Sequence, residues 1–289
     1  MIRLPKRLAL WCAAPLLIIL STFLLFRHAV GPTAANASDV SVTVREVAQL
    51  DQAAILAQAA LGQTSSTGTL VGVITVDGKP AALAPKVKKG DMSAKDAAIC
   101  AANDVPDESL VVGAKGGLAN VFVYLQAAPT GHKADAPPKE PAVFDQMGCR
   151  FLPHAMVIRM GQQVLVKSGD AIAHNTHTNP LRSTPFNQVV KPEDRVGIPL
   201  VYDKTERLPV KVVCDLHSWM TAYHLVLDHP FGAVTDADGK FEIKNLPAGK
   251  HTFVIWQERA GYLNRTQMAD VAAGKSTELK LSFPAEKFK

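Results

Sequence analysis

Between Cys214 and Met220 the chain reads Cys-Asp-Leu-His-Ser-Trp-Met, and a His174-Asn175 pair stands forty positions before that cysteine. Two imidazoles, one thiol and one thioether form a donor set suited to copper. Nitrogen favours the cupric ion and sulfur the cuprous ion, so a trigonal His2Cys plane with a weak axial Met accommodates both oxidation states. The implied chemistry is reversible one-electron transfer at a single ion, with His174, Cys214, His217 and Met220 as ligands. The competing reading makes Cys214 a buried thiol, His217 a surface loop residue and Met220 core filler.

These residues need a rigid frame. Val210-Lys211-Val212-Val213 has the composition of a strand that Cys214 would close, leaving His217 and Met220 on a tight loop folding back over one point. His174 must then come from the end of a neighbouring strand. Loop residues on a β scaffold are a common way to build such a site.

The run from Cys149 to Gln162 (Cys-Arg-Phe-Leu-Pro-His-Ala-Met-Val-Ile-Arg-Met-Gly-Gln), then Ser168-Gly169-Asp170 and Ala173-His174-Asn175-Thr176-His177, resembles the first half of a cupredoxin. The Cys-x2-His-x2-Met spacing is most similar to that of amicyanin, and the likeness runs from about Phe144 to Asp228. It implies a Greek-key β-sandwich holding one type 1 copper on His174, Cys214, His217 and Met220. It also implies that the Asn175 backbone amide bonds the cysteine sulfur, and that Trp219 covers the loop against water. Val212-Val213 stands where an aromatic residue is common in that family. The extra histidines His154, His177, His224 and His229 leave open a substitute for Met220 or a second metal site. By strand alternation His177 faces away from His174. A structural role is expected for His154, and turn or surface positions for His224 and His229.

With Cys214 reserved for metal and Cys12 in the apolar leader, Cys100 and Cys149 are left to pair in an oxidising compartment. That bridge would close a loop of about 50 residues, contributing roughly 4 kcal/mol in the chain-entropy model. A bridge from Cys214 to either of them would abolish the copper site.

The compartment is set by residues 1–37. Arg3, Lys6 and Arg7 precede the uncharged apolar run Leu8 to Phe26, which reads as a membrane anchor or as a signal peptide cut after Ala35-Asn36-Ala37. Either reading exports residues 38 to 289 to the periplasm or cell envelope. The chain has 31 basic and 26 acidic side chains, a formal charge of +5, but Arg3, Lys6, Arg7 and Arg27 belong to the leader. The exported part is therefore almost neutral. No long basic run with interleaved aromatics speaks for nucleic acid.

Residues 38–67 read as a spacer with a helix from Val47 to Leu61. Residues 68–130 read as β, with strands at Leu70 to Val76 and Ala119 to Leu125. Between those strands lies a charged, small-residue stretch from Lys86 to Gly117, whose Lys86 to Lys95 charges read as a solvated face, with a partner-docking patch as the alternative. A proline-rich linker from Pro129 to Pro141 leads to the copper domain, 142–229, and residues 230–289 form a further β unit. Phe231-Gly232-Ala233-Val234-Thr235, Lys240-Phe241-Glu242-Ile243 and His251 to Trp256, with a turn at Leu246 to Gly249, resemble a carboxypeptidase-regulatory-like, transthyretin-type β-sandwich, whose first half resembles Gly72 to Pro80. Two arrangements follow: a sandwich split by the copper domain, or three successive beads. The fold class is all-β in either case, and the combination resembles exported methylamine utilization-type proteins.

Asp236-Ala237-Asp238-Gly239 begins like a calcium loop but lacks the later ligands, which leaves a hairpin turn. There is no phosphate loop, zinc-protease helix or nucleophile elbow, so no enzyme is expected. The expected role is an electron carrier working with a redox partner protein of the envelope. The alternatives are a non-redox scaffold or adhesion protein, and a copper-capture or delivery protein.

Overall fold

The computed structural model describes residues 66–132 and 136–289. The apolar run Leu8 to Phe26 and the helix expected over Val47 to Leu61 lie outside the described residues. What is described is all-β, with two sandwiches of two sheets each.

The outer sandwich takes strands from both sides of residues 142–227. Burial alternates along β1 (Thr67–Asp77), with Leu70, Ile74 and Val76 buried and Thr69, Val71, Val73 and Thr75 on the other, partly exposed face; such alternation places one face on a core. β1 lies between β13 (Lys240–Pro247), antiparallel to it, and β16 (Ser276–Pro284), parallel to it. The opposing sheet runs in the order β12 (Gly232–Val234), β2 (Phe122–Leu125), β14 (Gly249–Gln257), β15 (Gly261–Val271). Leu70, Ile74, Leu118, Val123, Phe241, Ile243, Phe253 and Ile255 fill the space between the sheets. Residues 67–125 and 232–284 thus complete one another.

The middle sandwich lies wholly within 142–227. One sheet has the order β4 (Phe151–Leu152), β3 (Ala142–Gln146), β6 (Gln163–Val166), β9 (Ile198–Val201). The other has β5 (Ala155–Arg159), β11 (Thr221–Leu227), β10 (Val210–Val213), β7 (His174–Asn179), β8 (Asn187–Val190). Phe144, Phe151, Ile158, Val166, Leu200, Val212 and Val226 form the core between them.

β2 is buried on both faces, and its unbroken Phe-Val-Tyr-Leu run reflects this. Val123 and Leu125 point into the outer core. Phe122 and Tyr124 point the other way and, with Val254 and Trp256, pack on Ala155, Leu225 and Leu227 of the middle sandwich. This apolar seam joins the two sandwiches.

The turn at Asp236 to Gly239 connects β12 and β13, which belong to different sheets, so it is a crossover between layers and not the hairpin expected. Its Asp236 carboxylate accepts the backbone N–H groups of Asp238 and Lys240, both at 2.9 Å. Gly239 has φ +76°, and a Cβ there would stand 2.1 Å from the Ile74 carbonyl oxygen. Only glycine fits both constraints.

Residues 78–121, between β1 and β2, contain one helical turn, α1 (Ala97–Cys100). The charged side chains expected to form a solvated face, Lys86, Lys88, Lys89, Asp91 and Lys95, are exposed, while apolar residues of the same segment turn inward. Val87, Cys100, Ala101 and Val105 are buried in the same cluster as Cys214 and Met220. The stretch folds upon itself through Lys86 N–H to Val105 O at 2.8 Å, Val105 N–H to Val87 O at 2.9 Å and Gly90 N–H to Ala101 O at 2.8 Å. Cys100 and Cys149 are joined by a disulfide, and Cys214 is free and buried.

Candidate metal centre

β7 and β10 are antiparallel neighbours, with Val213 opposite His177. Continuing this register past the end of β10 brings Cys214 beside the first residues of β7. The Asn175 N–H points at Cys214 Sγ from 3.4 Å. The loop then closes on itself: Met220 N–H donates to His217 O at 2.9 Å, and Cys214 N–H to Met220 O at 3.3 Å. The Asn175 side chain pins the loop, with Oδ1 accepting from Asp215 N–H at 2.6 Å and Nδ2 donating to Asp215 Oδ2 at 2.8 Å.

His174, Cys214 and His217 are each at most 1% exposed, and one ligand atom from each lies within 4.8 Å of the others. His174 Nδ1 is 3.0 Å from His217 Nδ1, which is 3.8 Å from Cys214 Sγ. The remaining nitrogens meet carboxylates: His174 Nε2 at 2.9 Å from Asp170 Oδ2, and His217 Nε2 at 2.8 Å from Asp96 Oδ2. A carboxylate can only accept, so these contacts assign the ring proton to Nε2 in both histidines. Both Nδ1 atoms then converge beside the cysteine sulfur. Two acceptors and a thiolate so close repel one another unless a proton or a cation lies among them. The donor set therefore fits a bound copper ion.

Charge is distributed accordingly. Burial pushes the Cys214 thiol up, but His174, His217 and the Asn175 N–H around the sulfur outweigh it and hold the group at about 6. Burial pushes His174 down, yet Asp170 and Cys214 raise it to about 9. Burial alone would raise the Asp170 carboxyl; hydrogen bonds from His174 and from the backbone N–H groups of Cys149 and Gly148 keep it below the ordinary carboxylate range.

Met220 is 2% exposed at the end of the loop and belongs to the same core cluster as Cys214. Trp219 is half-buried, its ring centroid 5.2 Å from that of His217, and its Nε1–H donates to Cys149 O at 3.3 Å.

The other histidines stay apart from this cluster. His177 sits on the outer side with Asp215, Nδ1 to Oδ2 at 3.1 Å. His154 Nε2 lies 2.6 Å from Glu258 Oε1. The surface positions expected for His224 and His229 are not observed, since both are fully buried, although His229 does lie in the bend after β11. β11 is an interior strand of its sheet, and alternation turns His224 into the core. There it lies 2.9 Å from the Tyr202 hydroxyl and edge-on to Phe144, centroids 4.4 Å apart. His229 is enclosed where the two sandwiches meet, its Nδ1 accepting the Phe231 N–H at 3.2 Å and its ring stacked on that of Phe231.

Asp96 and Asp170 were not singled out from the sequence. Asp170 is four positions before His174, a spacing that carries no signal outside a helix. Asp96 comes from 121 residues before His217; its one sequence clue is Cys100, four positions on.

No protein-family model matches the chain, and no curated protein matches it. Solved structures similar to it include cupredoxins and a copper nitrite reductase. The purple cupredoxin of Nitrosopumilus maritimus is 18% identical over 29% of this chain and 98% of its own, with TM-score 0.25. The amicyanin of Paracoccus versutus is 14% identical over 37% and 98%, with TM-score 0.27. The copper-containing nitrite reductase of Thermus scotoductus is 18% identical over 35% of this chain, with TM-score 0.28, and the match spans 25% of that protein's length.

Proposed function

We propose that the chain is an exported electron carrier holding one type 1 copper ion on His174, Cys214, His217 and Met220. The observation carrying this reading is the convergence of two histidine Nδ1 atoms and the Cys214 sulfur in a water-excluded cluster, each imidazole being held from behind by a carboxylate. Copper, when bound, supplies the one-electron couple. The protein's part is to keep the ligands still. Asp170 and Asp96 hold the two rings, the Asn175 N–H holds the sulfur, and the backbone bonds between His217, Met220 and Cys214 hold the loop, so little moves when the charge changes.

In this reading the middle sandwich is a cupredoxin module, and the outer one a carboxypeptidase-regulatory-like module of the kind resembled by methylamine utilization-type proteins. Electrons pass to and from a partner protein of the cell envelope, and residues 1–37 direct or anchor the chain there. Four protein ligands leave no open coordination position, which favours a carrier over an enzyme. Each extra histidine has its own structural setting, which favours a single ion over copper capture.

The test is to express residues 38 to 289, add cupric ion, and record visible and electron paramagnetic resonance spectra of this protein and its Cys214→Ser variant. An intense thiolate-to-copper band with narrow hyperfine splitting, lost in the variant, is expected. An unchanged band in the variant would remove Cys214 from the ligand set. Its absence from folded, unsubstituted protein would favour a scaffold.

A further inference from the structure

Asp96 does not belong to the sandwich that carries Cys214 and the two histidines. It is delivered by the segment between β1 and β2. Its backbone is left-handed, φ +53° and ψ +41°, a region that non-glycine residues enter at a cost and aspartate tolerates better than most. Directly after it comes α1, whose Ile99 and Cys100 N–H groups both donate to Asp96 O at 2.9 Å. α1 ends at Cys100, and Cys100 is bridged to Cys149. The Cys149 N–H donates to Asp170 Oδ2 at 2.8 Å, while Asp170 Oδ1 accepts the Gly148 N–H at 2.7 Å.

The contacts close a ring: His217 to Asp96, along α1 to Cys100, across the disulfide to Cys149, on to Asp170, then to His174 and back to His217. Both histidine-holding carboxylates are thereby tied to the two ends of one covalent bridge. Val87, Cys100, Ala101 and Val105 seat the segment in the core beneath the metal loop. The segment leaves His217 with no exposed edge, while the Asp96 side chain remains 40% exposed.

We propose that Asp96 is a positioning residue of the metal centre, directing His217 Nδ1 to the ligand cluster by accepting its Nε2–H, and that the Cys100–Cys149 disulfide is the fixture that keeps Asp96 there. The idea rests on the copper reading above for its purpose, though the tautomer it asserts exists without metal. An exposed aspartate in a left-handed turn has no packing reason to be there. Its contact with a fully buried imidazole gives it one.

Two measurements decide the matter. In metal-free protein labelled with 15N at histidine, long-range nitrogen–proton correlations report which ring nitrogen of His217 carries the proton. Nε2–H is expected in the unsubstituted protein and in Asp96→Asn, whose amide oxygen still accepts. A mixture of tautomers is expected in Asp96→Ala and in the double variant Cys100→Ser/Cys149→Ser, with the correlations of His154 and His224 unmoved in Asp96→Ala. In copper-loaded protein, competition with a chelator is expected to show affinity about 10- to 100-fold weaker for Asp96→Ala. An unchanged tautomer and affinity in Asp96→Ala would overturn the assignment. A response to Asp96→Ala without one to the double variant would overturn the role of the disulfide. If the unsubstituted protein develops no Cys214-dependent band, the copper reading fails while the tautomer experiment still decides the contact. A normal band with an indifferent Asp96→Ala rejects only the positioning role.

Discussion

Burial on every side holds the His224 imidazole down at about 3. An unfolded histidine titrates near 6.5, so between about pH 6.5 and about pH 3 the unfolded chain binds a proton that the native one refuses. The sign follows: stability is unaffected by His224 above about pH 6.5 and falls on acidification, by at most about 1.4 kcal/mol per pH unit. His224→Gln, which keeps a partner for the Tyr202 hydroxyl, is expected to lose less stability between pH 7 and pH 4.5 in urea unfolding. At this scale the loop carrying Cys214, His217 and Met220 was legible, because Cys-x2-His-x2-Met is local in sequence. The carboxylates that meet His174 and His217 were not. Asp96 and Asp170 acquire meaning only through contacts made by folding, and the burial of His224 depends on its strand having neighbours on both sides, which no local pattern declares.

The strands were readable where alternation or a continuous apolar run declared them, as in Leu70 to Val76 and Val210 to Val213, and sheet membership was not. Lys240 to Ile243 looked like the return arm of a hairpin, yet β13 pairs with β1 and β12 with β2. The connection between them is tight enough to be tested by one substitution. Gly239→Ala places a side chain at φ +76° against the Ile74 carbonyl oxygen. The left-handed conformation costs about 1–2 kcal/mol and the overlap about 1–3 more. Thermal unfolding is expected to shift down accordingly, whereas the copper spectrum, set by the middle sandwich, is expected to stay the same.

The two sandwiches depend differently on the ends of the described chain. β1 and β2 find all their strand partners beyond residue 231, while β3 to β11 pair only among themselves. Removing residues 231–289 is therefore expected to abolish the slow hydrogen exchange of β1 and β2 amides and to leave that of β7 and β10 largely in place, as peptide-resolved mass spectrometry can show. The truncated chain would also expose Ala155, Leu225 and Leu227, which lie in the apolar seam. The split of the outer sandwich was one of two arrangements compatible with the sequence. Composition cannot choose between them, because a strand reads the same whether its neighbour is ten residues away or two hundred.

That distance has a kinetic side. β1 donates from Thr75 Oγ1 to Leu281 O, 206 residues further on. At a synthesis rate of about 5–20 residues per second, the β1 edge that β16 covers stays open for roughly 10 to 40 s, and the other edge until β13 has been made. Pairing across such a separation gives the outer sandwich a high contact order and slow closure. During that interval the unpaired edge of β1 is a template for foreign strands. Protection of the nascent amino-terminal half, rather than assembly of the ligand loop, is thus the expected bottleneck in producing this protein.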